Sequence, residues 1–537
     1  MATTLPAPPP SPAEPLLTLV ASLALALLAY HLVSTLVPAL GPDLVAKGLK
    51  GRDMLKPGFH RKGEEPTRGQ GGEKVGQDEE TEGVPGAVDL PEATGVIGAS
   101  VYILLLSLFA PLPYLSSLLP SSFSPSSLLP SLNTTTSSTT TSSSSLVGAV
   151  VPADHPCATL VSTGLLEGSL SFPHHSFATY LASLLSLLIA TFLGFCDDVF
   201  DIRWRFKLPI PLIASVPLLV TYAAGHGVTD IVLPNLFGLR ALFGVEHVSG
   251  VLHLGPLYYA YMSLLSTFCT NSINILAGVN GVEVSQALLI ALSLLLNDLL
   301  YLSFSLSPLL SLLPASLTSH LPLWMWEPIS AGFANGSKEL QDRHLFSLYF
   351  MLPLVGVCAG LLRWNWYPAR SFIGDTFCYF SGMAFAVVGI LGHFSKTLLL
   401  FFLPQVANFL YSTPQLFGLV PCPRHRLPRL DRETGRLRPS WAVIKPKNLR
   451  TMREEIGVAL LLVLERLRLV QLERDASTRE VTGCTNLTLL NLLLILGGPV
   501  REDGLAWRLI ACQVAGSVVA FGVRYGLGGV VYGGGRV

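Results

Sequence analysis

Ten apolar stretches divide this chain, and they leave it few ways to fold. They run over residues 16–40, 95–113, 176–194, 208–224, 251–270, 283–303, 345–362, 376–391, 397–412 and 508–527. A helix of about 20 apolar residues crosses a bilayer, and ten such segments in 537 residues are too many for one water-soluble core. Composition agrees: only 13% of the residues are charged, about half the share of an ordinary soluble domain, and the mean hydropathy is +0.53. The expected fold is an all-α polytopic membrane protein, one integral membrane domain over 1–537 with about ten transmembrane helices. The leader before the first span has no Lys or Arg, and its apolar stretch is too long for a signal-peptide h-region, so it reads as a retained anchor.

Charge gives the sidedness. Ten spans leave nine loops, and the odd-numbered ones carry 28 of the 35 Lys and Arg while the even-numbered ones carry four. The positive-inside rule therefore places the odd loops in the cytoplasm and both termini opposite. Two low-complexity stretches stand apart from the helices. Residues 57–90 read as a solvated insertion in the first cytoplasmic loop, and 115–145 as a Ser/Thr-rich loop on the lumenal side. The sequons at Asn133 and Asn335 fall on that same side. A third long segment, 413–507, is a small cytoplasmic insert before the last span, and within it 455–474 suits either a helix or strands. The 35 basic residues balance 35 acidic ones, so nothing points to nucleic acid, and eight scattered cysteines give neither a disulfide framework nor a zinc site.

Polar clusters interrupt the apolar pattern in four of the odd loops. GFCDDVFDIRWRFKLP places Asp197, Asp198 and Asp201 directly after a span and then Arg203, Arg205 and Lys207. Carboxylates at a membrane boundary need water, a partner or a cation; the plainer alternative is a helix end held by ion pairs. TNSINILAGVNGVEVSQ sets Asn271, Asn274 and Asn280 among apolar residues, with Gly278 and Gly281 breaking the helical pattern. Amides there suit a base edge or a hard cation, or else cap two helices. Asp375 stands immediately before a span, as a metal ligand or an N-cap would. PCPRHRLPRL holds Arg424, His425 and Arg426 between prolines; Arg suits bidentate phosphate contacts, and a topology signal is the alternative. Caps formed independently would have no reason to gather on one side. Carboxylates, amides, a Lys and Arg together make the ligand set of a magnesium-dependent phosphoryl transfer.

These blocks, with NWYPARSFIGDTFCYFSGMAFAVVGILGHFSK, PQVANFLYS, LPEATGVIG and NLTLLNLLL, resemble the polyprenyl-phosphate N-acetylhexosamine-1-phosphate transferases, in particular their eukaryotic, dolichol-using branch. The resemblance covers most spans; the stretches around 57–90 and 115–145 depart from it, and Asp201 stands where some members have Asn. It implies transfer of GlcNAc-1-phosphate from UDP-GlcNAc to dolichyl phosphate, with Mg2+ held by Asn274 and Asp375. Lys207, with Asp197, Asp198 and Asp201 around it, would form the catalytic group. Dolichyl phosphate would meet Lys207, Trp204, Thr267, Thr270, Asn271 and Asn274. UDP-GlcNAc would meet Gly278, Asn280, Phe372, Arg424, His425 and Arg426, with Glu92 and Arg52, Asp53 and Met54 completing the pocket. The setting implied is the endoplasmic reticulum membrane with the site facing the cytoplasm. A second copy of the chain or downstream glycosyltransferase subunits are the protein partners expected. A transporter is the alternative of another class, but it would need ionisable groups near mid-membrane on several helices, and here they crowd one interface.

Overall fold

The computed structural model describes residues 13–51, 89–114, 172–200, 202, 207, 209–225, 227–233, 240, 250–304, 329–334, 337–423, 426–431, 433–446 and 449–528. The Ser/Thr-rich stretch 115–145, the asparagines of both sequons, and the insertion 57–90 apart from its last two residues lie outside them. So do Arg52, Asp53, Met54, Asp201, Trp204, Arg424 and His425.

Helices dominate. In chain order they are α1 (Ala13–Ala46), α2 (Gly95–Phe109), α3 (His174–Phe200), α4 (Ile210–Ala224), α5 (Pro256–Ile275), α6 (Val282–Tyr301) and α7 (Lys338–Asn365). Then follow α8 (Gly374–Leu391), α9 (Ser395–Phe401), α10 (Leu403–Leu416), α11 (Met452–Arg466), α12 (Leu489–Gly497) and α13 (Glu502–Phe521). Each of the ten expected spans overlaps at least one helix. Among the described residues, seven helices are long and apolar enough to cross a membrane: α1, α2, α3, α6, α7, α8 and α13, with α2 and α13 extended by a following turn. α4 is short, and the ninth span is two helices, α9 and α10, with Pro404 in the first turn of the second. α5 starts later than its apolar run and continues through Asn271 and Asn274, so these amides lie on a helix and not in a loop. Asp197 and Asp198 likewise belong to the last turn of α3.

α8 is the centre of the bundle. Every residue from Thr376 to Ile390 is buried, and α2, α3, α4, α5, α6 and α7 all pack on it. Contact with α5 requires Gly382, where a Cβ would come within 2.4 Å of the Thr270 Cα. A small residue at such a crossing lets two backbones meet, as is usual between helices in lipid. One apolar core runs through α1 to α8. A second joins Leu276, Val279 and Val282 to Leu437, Leu490 and Leu505, so the α5–α6 turn is clamped from the C-terminal side.

Short strands pair at the helix ends: β1 (Lys50–Gly51) with β2 (Leu90–Pro91), β3 (Asp230–Val232) with β4 (Val251–His253), and β5 (Ser303–Phe304) with β6 (Ile329–Ser330). Within 413–507, β7 (Arg429–Asp431) and β8 (Arg436–Arg438) make a hairpin. Here β9 (Trp441–Val443), β10 (Leu472–Arg474) and β11 (Val481–Thr485) form an antiparallel sheet of order β10-β11-β9. The segment 455–474 resolves into the body of α11 followed by β10. A capping box starts α11: the Thr451 hydroxyl accepts from the Glu454 N–H, and the Glu454 carboxylate accepts from the Thr451 N–H at 2.7 Å.

Candidate active site

A charged centre forms where the C-terminal ends of α3 and α5 meet the N-terminal end of α8. Lys207 Nζ lies 3.0 Å from Asp197 Oδ1 and 2.8 Å from Asp375 Oδ2. The Asn274 amide donates to the other Asp375 oxygen at 2.9 Å. Asp197 is fully engaged: its Oδ1 also accepts the Ile202 N–H, and its Oδ2 the Tyr379 hydroxyl at 3.3 Å. Burial alone would draw the Lys207 amine down. The hydrogen bond and charge of Asp375, then those of Asp197, outweigh it and raise the amine above its ordinary value, so Lys207 is a fixed cation at neutral pH.

Asp198 is engaged differently from its neighbour. One oxygen accepts the Asp375 N–H at 2.5 Å, and the other accepts the Thr376 N–H at 3.0 Å and the Thr376 hydroxyl. These are first-turn donors of α8 that have no partner within the helix. Asp198 therefore caps α8 from another helix and fixes the backbone on which Asp375 stands. Gly374, at φ +71°, admits the approach, since a Cβ would lie 2.6 Å from an Asp198 oxygen. The three acids that the sequence presents as one cluster thus separate. Asp197 holds Lys207, Asp198 holds Asp375, and Asp201 is not described.

Thr267, Thr270 and Asn271 precede Asn274 by seven, four and three residues, which puts all four on one face of α5. Thr270 departs from its expected part in the lipid-phosphate site. It is buried against α8, with its hydroxyl on the Ser266 and Thr267 carbonyls. The Thr267 hydroxyl bonds Ser263 O, and the Asn271 amide bonds Thr267 O.

A second part of the site is made of backbone. Between α5 and α6, Gly278 (φ +96°) and Gly281 (φ +79°) turn the chain sharply. The amides this turn exposes are taken one by one: Gly278 N–H by Glu283 at 2.7 Å, Asn280 N–H by Glu502 at 2.8 Å, and Gly281 N–H by Asn365 at 3.1 Å. The other end of the Asn365 amide donates to Ser371 O at 3.0 Å, which ties this turn to the segment carrying Phe372. Phe372 in turn bonds Pro91 O through its N–H at 2.8 Å and takes the Thr94 N–H on its carbonyl. Its ring and the Glu92 carboxylate both lie beside Gly51. Burial, and then the charge of Asp375, push the Glu92 carboxyl up. On the other side, Leu427 packs on Gly278. The adjacent Arg426 carbonyl is held by Asn491 Nδ2 at 2.9 Å and the Ser440 hydroxyl at 3.1 Å. Arg426 Nη1 is buried with no acceptor among the described residues.

Segments from all five odd-numbered loops therefore converge, and the described members of the expected site other than Thr270 are brought together. Five contributors were not anticipated: Glu283, Asn365, Thr376, Tyr379 and Glu502. The two acids carried the clearest signal, Glu283 at the start of one apolar run and Glu502 shortly before another; the others look like ordinary helix residues. Asp298, the ionisable exception within a span, is remote. It lies fifteen residues beyond Glu283 on α6, about 22 Å at the helical rise, and pairs with His344 at 2.7 Å.

Residues 180–393 match the family described as Glycosyl transferase family 4. A Schizosaccharomyces pombe protein named UDP-N-acetylglucosamine--dolichyl-phosphate N-acetylglucosaminephosphotransferase is 37% identical over 517 residues, covering 96% of this chain and 93% of the relative. Its Saccharomyces cerevisiae namesake is 35% identical with the same coverage. The chain belongs to this family. A Dictyostelium discoideum member is 42% identical over 359 residues, covering 66% of this chain and 71% of its own. The Glycosyl transferase family 4 match holds α3 to α8, and with them Asp197, Lys207, Asn274 and Asp375. Glu92, Arg426 and Glu502 fall outside it, while the matches to the two yeast relatives extend over nearly the whole chain.

Proposed function

We propose that this protein transfers GlcNAc-1-phosphate from UDP-GlcNAc to dolichyl phosphate, releasing UMP and forming GlcNAc-PP-dolichol, the first step of N-glycan precursor synthesis. The observation that carries the reading is the Asp197–Lys207–Asp375–Asn274 centre at the helix ends, in a chain that matches enzymes of that name nearly end to end.

The donor set suits magnesium. Asp375 and Asn274 offer oxygen ligands side by side, and among the described residues the nearby acids Asp197, Asp198, Glu92 and Glu283 outnumber the cations Lys207 and Arg426. Among the described residues no three His, Cys, Asp or Glu side chains converge on one point. Magnesium needs no such cage, since it keeps several waters and is commonly held by one or two protein groups plus substrate phosphates. When bound, it supplies neutralisation of the pyrophosphate and of the UMP leaving group.

The chain's own residues do the rest. Lys207, held between two carboxylates, places the acceptor phosphate and offsets its repulsion from the pyrophosphate. With a second phosphate pKa of about 6, the acceptor is already mostly a dianion at neutral pH. A general base is not required, and Asp197 and Asp198 both have other employment. The buried Arg426 Nη1 offers a donor to the phosphate beside the sugar. The Gly278–Gly281 turn, Phe372 and Glu92 enclose the uridine side. UDP-GlcNAc reaches such a site from water and the lipid phosphate reaches it sideways along the helices. The charge asymmetry of the loops supports a cytoplasmic meeting place, in this reading the cytoplasmic face of the endoplasmic reticulum membrane.

Purified protein incubated with UDP-GlcNAc, dolichyl phosphate and Mg2+ is expected to release UMP. Omission of lipid, or chelation of metal, should abolish the release. Equal turnover of UDP-glucose, or release indifferent to lipid, would sink the assignment.

A further inference from the structure

The last apolar helix carries none of the motifs that identify the catalytic centre, yet its first residue reaches into the site. Glu502 is 3% exposed, and its Oε1 accepts the Asn280 N–H at 2.8 Å. We infer that Glu502 is a positioning residue for nucleotide binding, holding the Gly278–Gly281 turn in the shape that receives the uridine of UDP-GlcNAc. The inference rests on the assignment of that turn to the uridine side.

Three physical points support it. The Asn280 N–H lies in the turn just before α6, outside the helical hydrogen-bond pattern, and an unmet buried N–H costs about 1–3 kcal/mol. Two neighbouring amides are satisfied by Glu283 and Asn365, which sit on elements that line the site. The Asn280 amide alone depends on a helix 222 residues away in sequence, so a side chain from the far end of the chain sets its position. Secondly, two glycines with positive φ give the turn little stiffness of its own. Thirdly, Leu505 and Leu509, from the same first turns of α13, pack in the cluster with Leu276, Val279 and Val282. The helix start is thus seated firmly enough for a carboxylate on it to act as a fixed point. A carboxylate at the N-terminal end of α6 also favours that helix's dipole.

The test is a split of kinetic constants. Glu502→Ala should raise the KM for UDP-GlcNAc about tenfold or more, the loss expected from a buried hydrogen bond to a charged group. The KM for dolichyl phosphate should stay within about twofold and kcat within about threefold. Glu502→Gln keeps an acceptor oxygen at the same reach and should restore the nucleotide KM to within about threefold. If the alanine variant does not accumulate as folded protein, Glu502→Asp serves instead, since it keeps the charge but withdraws the oxygen by one methylene. The same split is then expected. Phe521→Ala is the control for general damage to α13: it removes a ring packed on Phe401 at the other end of the helix and should lower thermal stability without moving the nucleotide KM. A Glu502→Ala protein with less active enzyme but an unchanged nucleotide KM overturns the inference. So does a Phe521→Ala protein with the same KM rise, or a glutamine variant no better than alanine. Failure of the underlying assignment would look different, because the unaltered protein would then show no UDP-GlcNAc-dependent UMP release.

Discussion

The two halves of the site are built on opposite plans. At the proposed phosphate end, charged and amide side chains form the centre themselves: Asp197, Lys207, Asn274 and Asp375 bond to one another within 3.0 Å. At the proposed nucleotide end, the surface is a glycine turn, and polar side chains stand behind it, holding its amides in place. Substitutions at the first should strike the chemical step. Substitutions at the second should strike binding of one substrate.

The largest effect is expected at Lys207. Lys207→Ala removes the only cation that Asp197 and Asp375 share among the described residues and leaves two carboxylates facing an anionic acceptor. Loss of one preorganised electrostatic group costs roughly 100- to 1,000-fold in kcat, and the upper end is expected here, measured as lipid-dependent UMP release at saturating substrates. A fall confined to the KM for UDP-GlcNAc would erase the distinction between the two ends.

Asp198→Asn should come next, and for a different reason. An amide keeps the shape but offers one acceptor oxygen where α8 needs acceptors at both positions. A lost cap costs about 0.5–2 kcal/mol of stability, and a small displacement of Asp375 can cost as much as 100-fold in rate. A lower melting temperature in detergent together with reduced kcat is expected. Asp197→Asn should instead lower the rate uniformly across pH, since its carboxylate orients Lys207 and is not a proton acceptor. A selective loss of the acidic limb in that variant would reinstate a base.

The contrast also explains what could be read from the sequence. Side-chain chemistry leaves letters: DD beside RWRFK, the asparagines of TNSIN and the lone acid of IGD all stand out in apolar surroundings. Hence the cluster of Asp197, Lys207, Asn274 and Asp375 was legible, as was the helical membrane fold, from the length of the apolar runs. The division of labour between Asp197 and Asp198 was not legible, because adjacent identical letters say nothing about which side of a helix end each faces. Backbone chemistry leaves fewer letters still. Gly278 and Gly281 mark the turn, but its supports, Asn365 and Glu502, come from 84 and 222 residues away, and only the packed structure pairs them with it. Both ends of α5 were misplaced for related reasons. The apolar residues before it form strand β4, and its polar C-terminal turn gives hydrophobic periodicity no signal.

The smallest expected effect belongs to the insert, which reaches both ends through Arg426 and Leu427 but has its own core. Its helix α11 starts at a capping box whose acid, Glu454, is held down to about 2 by a hydrogen bond from Lys445 and then by the Thr451 N–H and hydroxyl. The folded value lies below the ordinary 4.5, so the stabilisation is present above that pH and is lost as pH falls from about 4.5 towards 2. Glu454→Gln removes it at all pH values. Amides at the start of α11 should then exchange hydrogen faster than in the unaltered protein at pH 7, and the two should converge in acid. Kinetic constants for both substrates should stay within about twofold, because the contacts of Leu427 and Arg426 run to Gly278, Ser440 and Asn491 and not to α11. A rise in the nucleotide KM of Glu454→Gln would mean that the insert's internal stability sets the glycine turn as well, and the nucleotide end would then have a fourth support besides Glu283, Asn365 and Glu502.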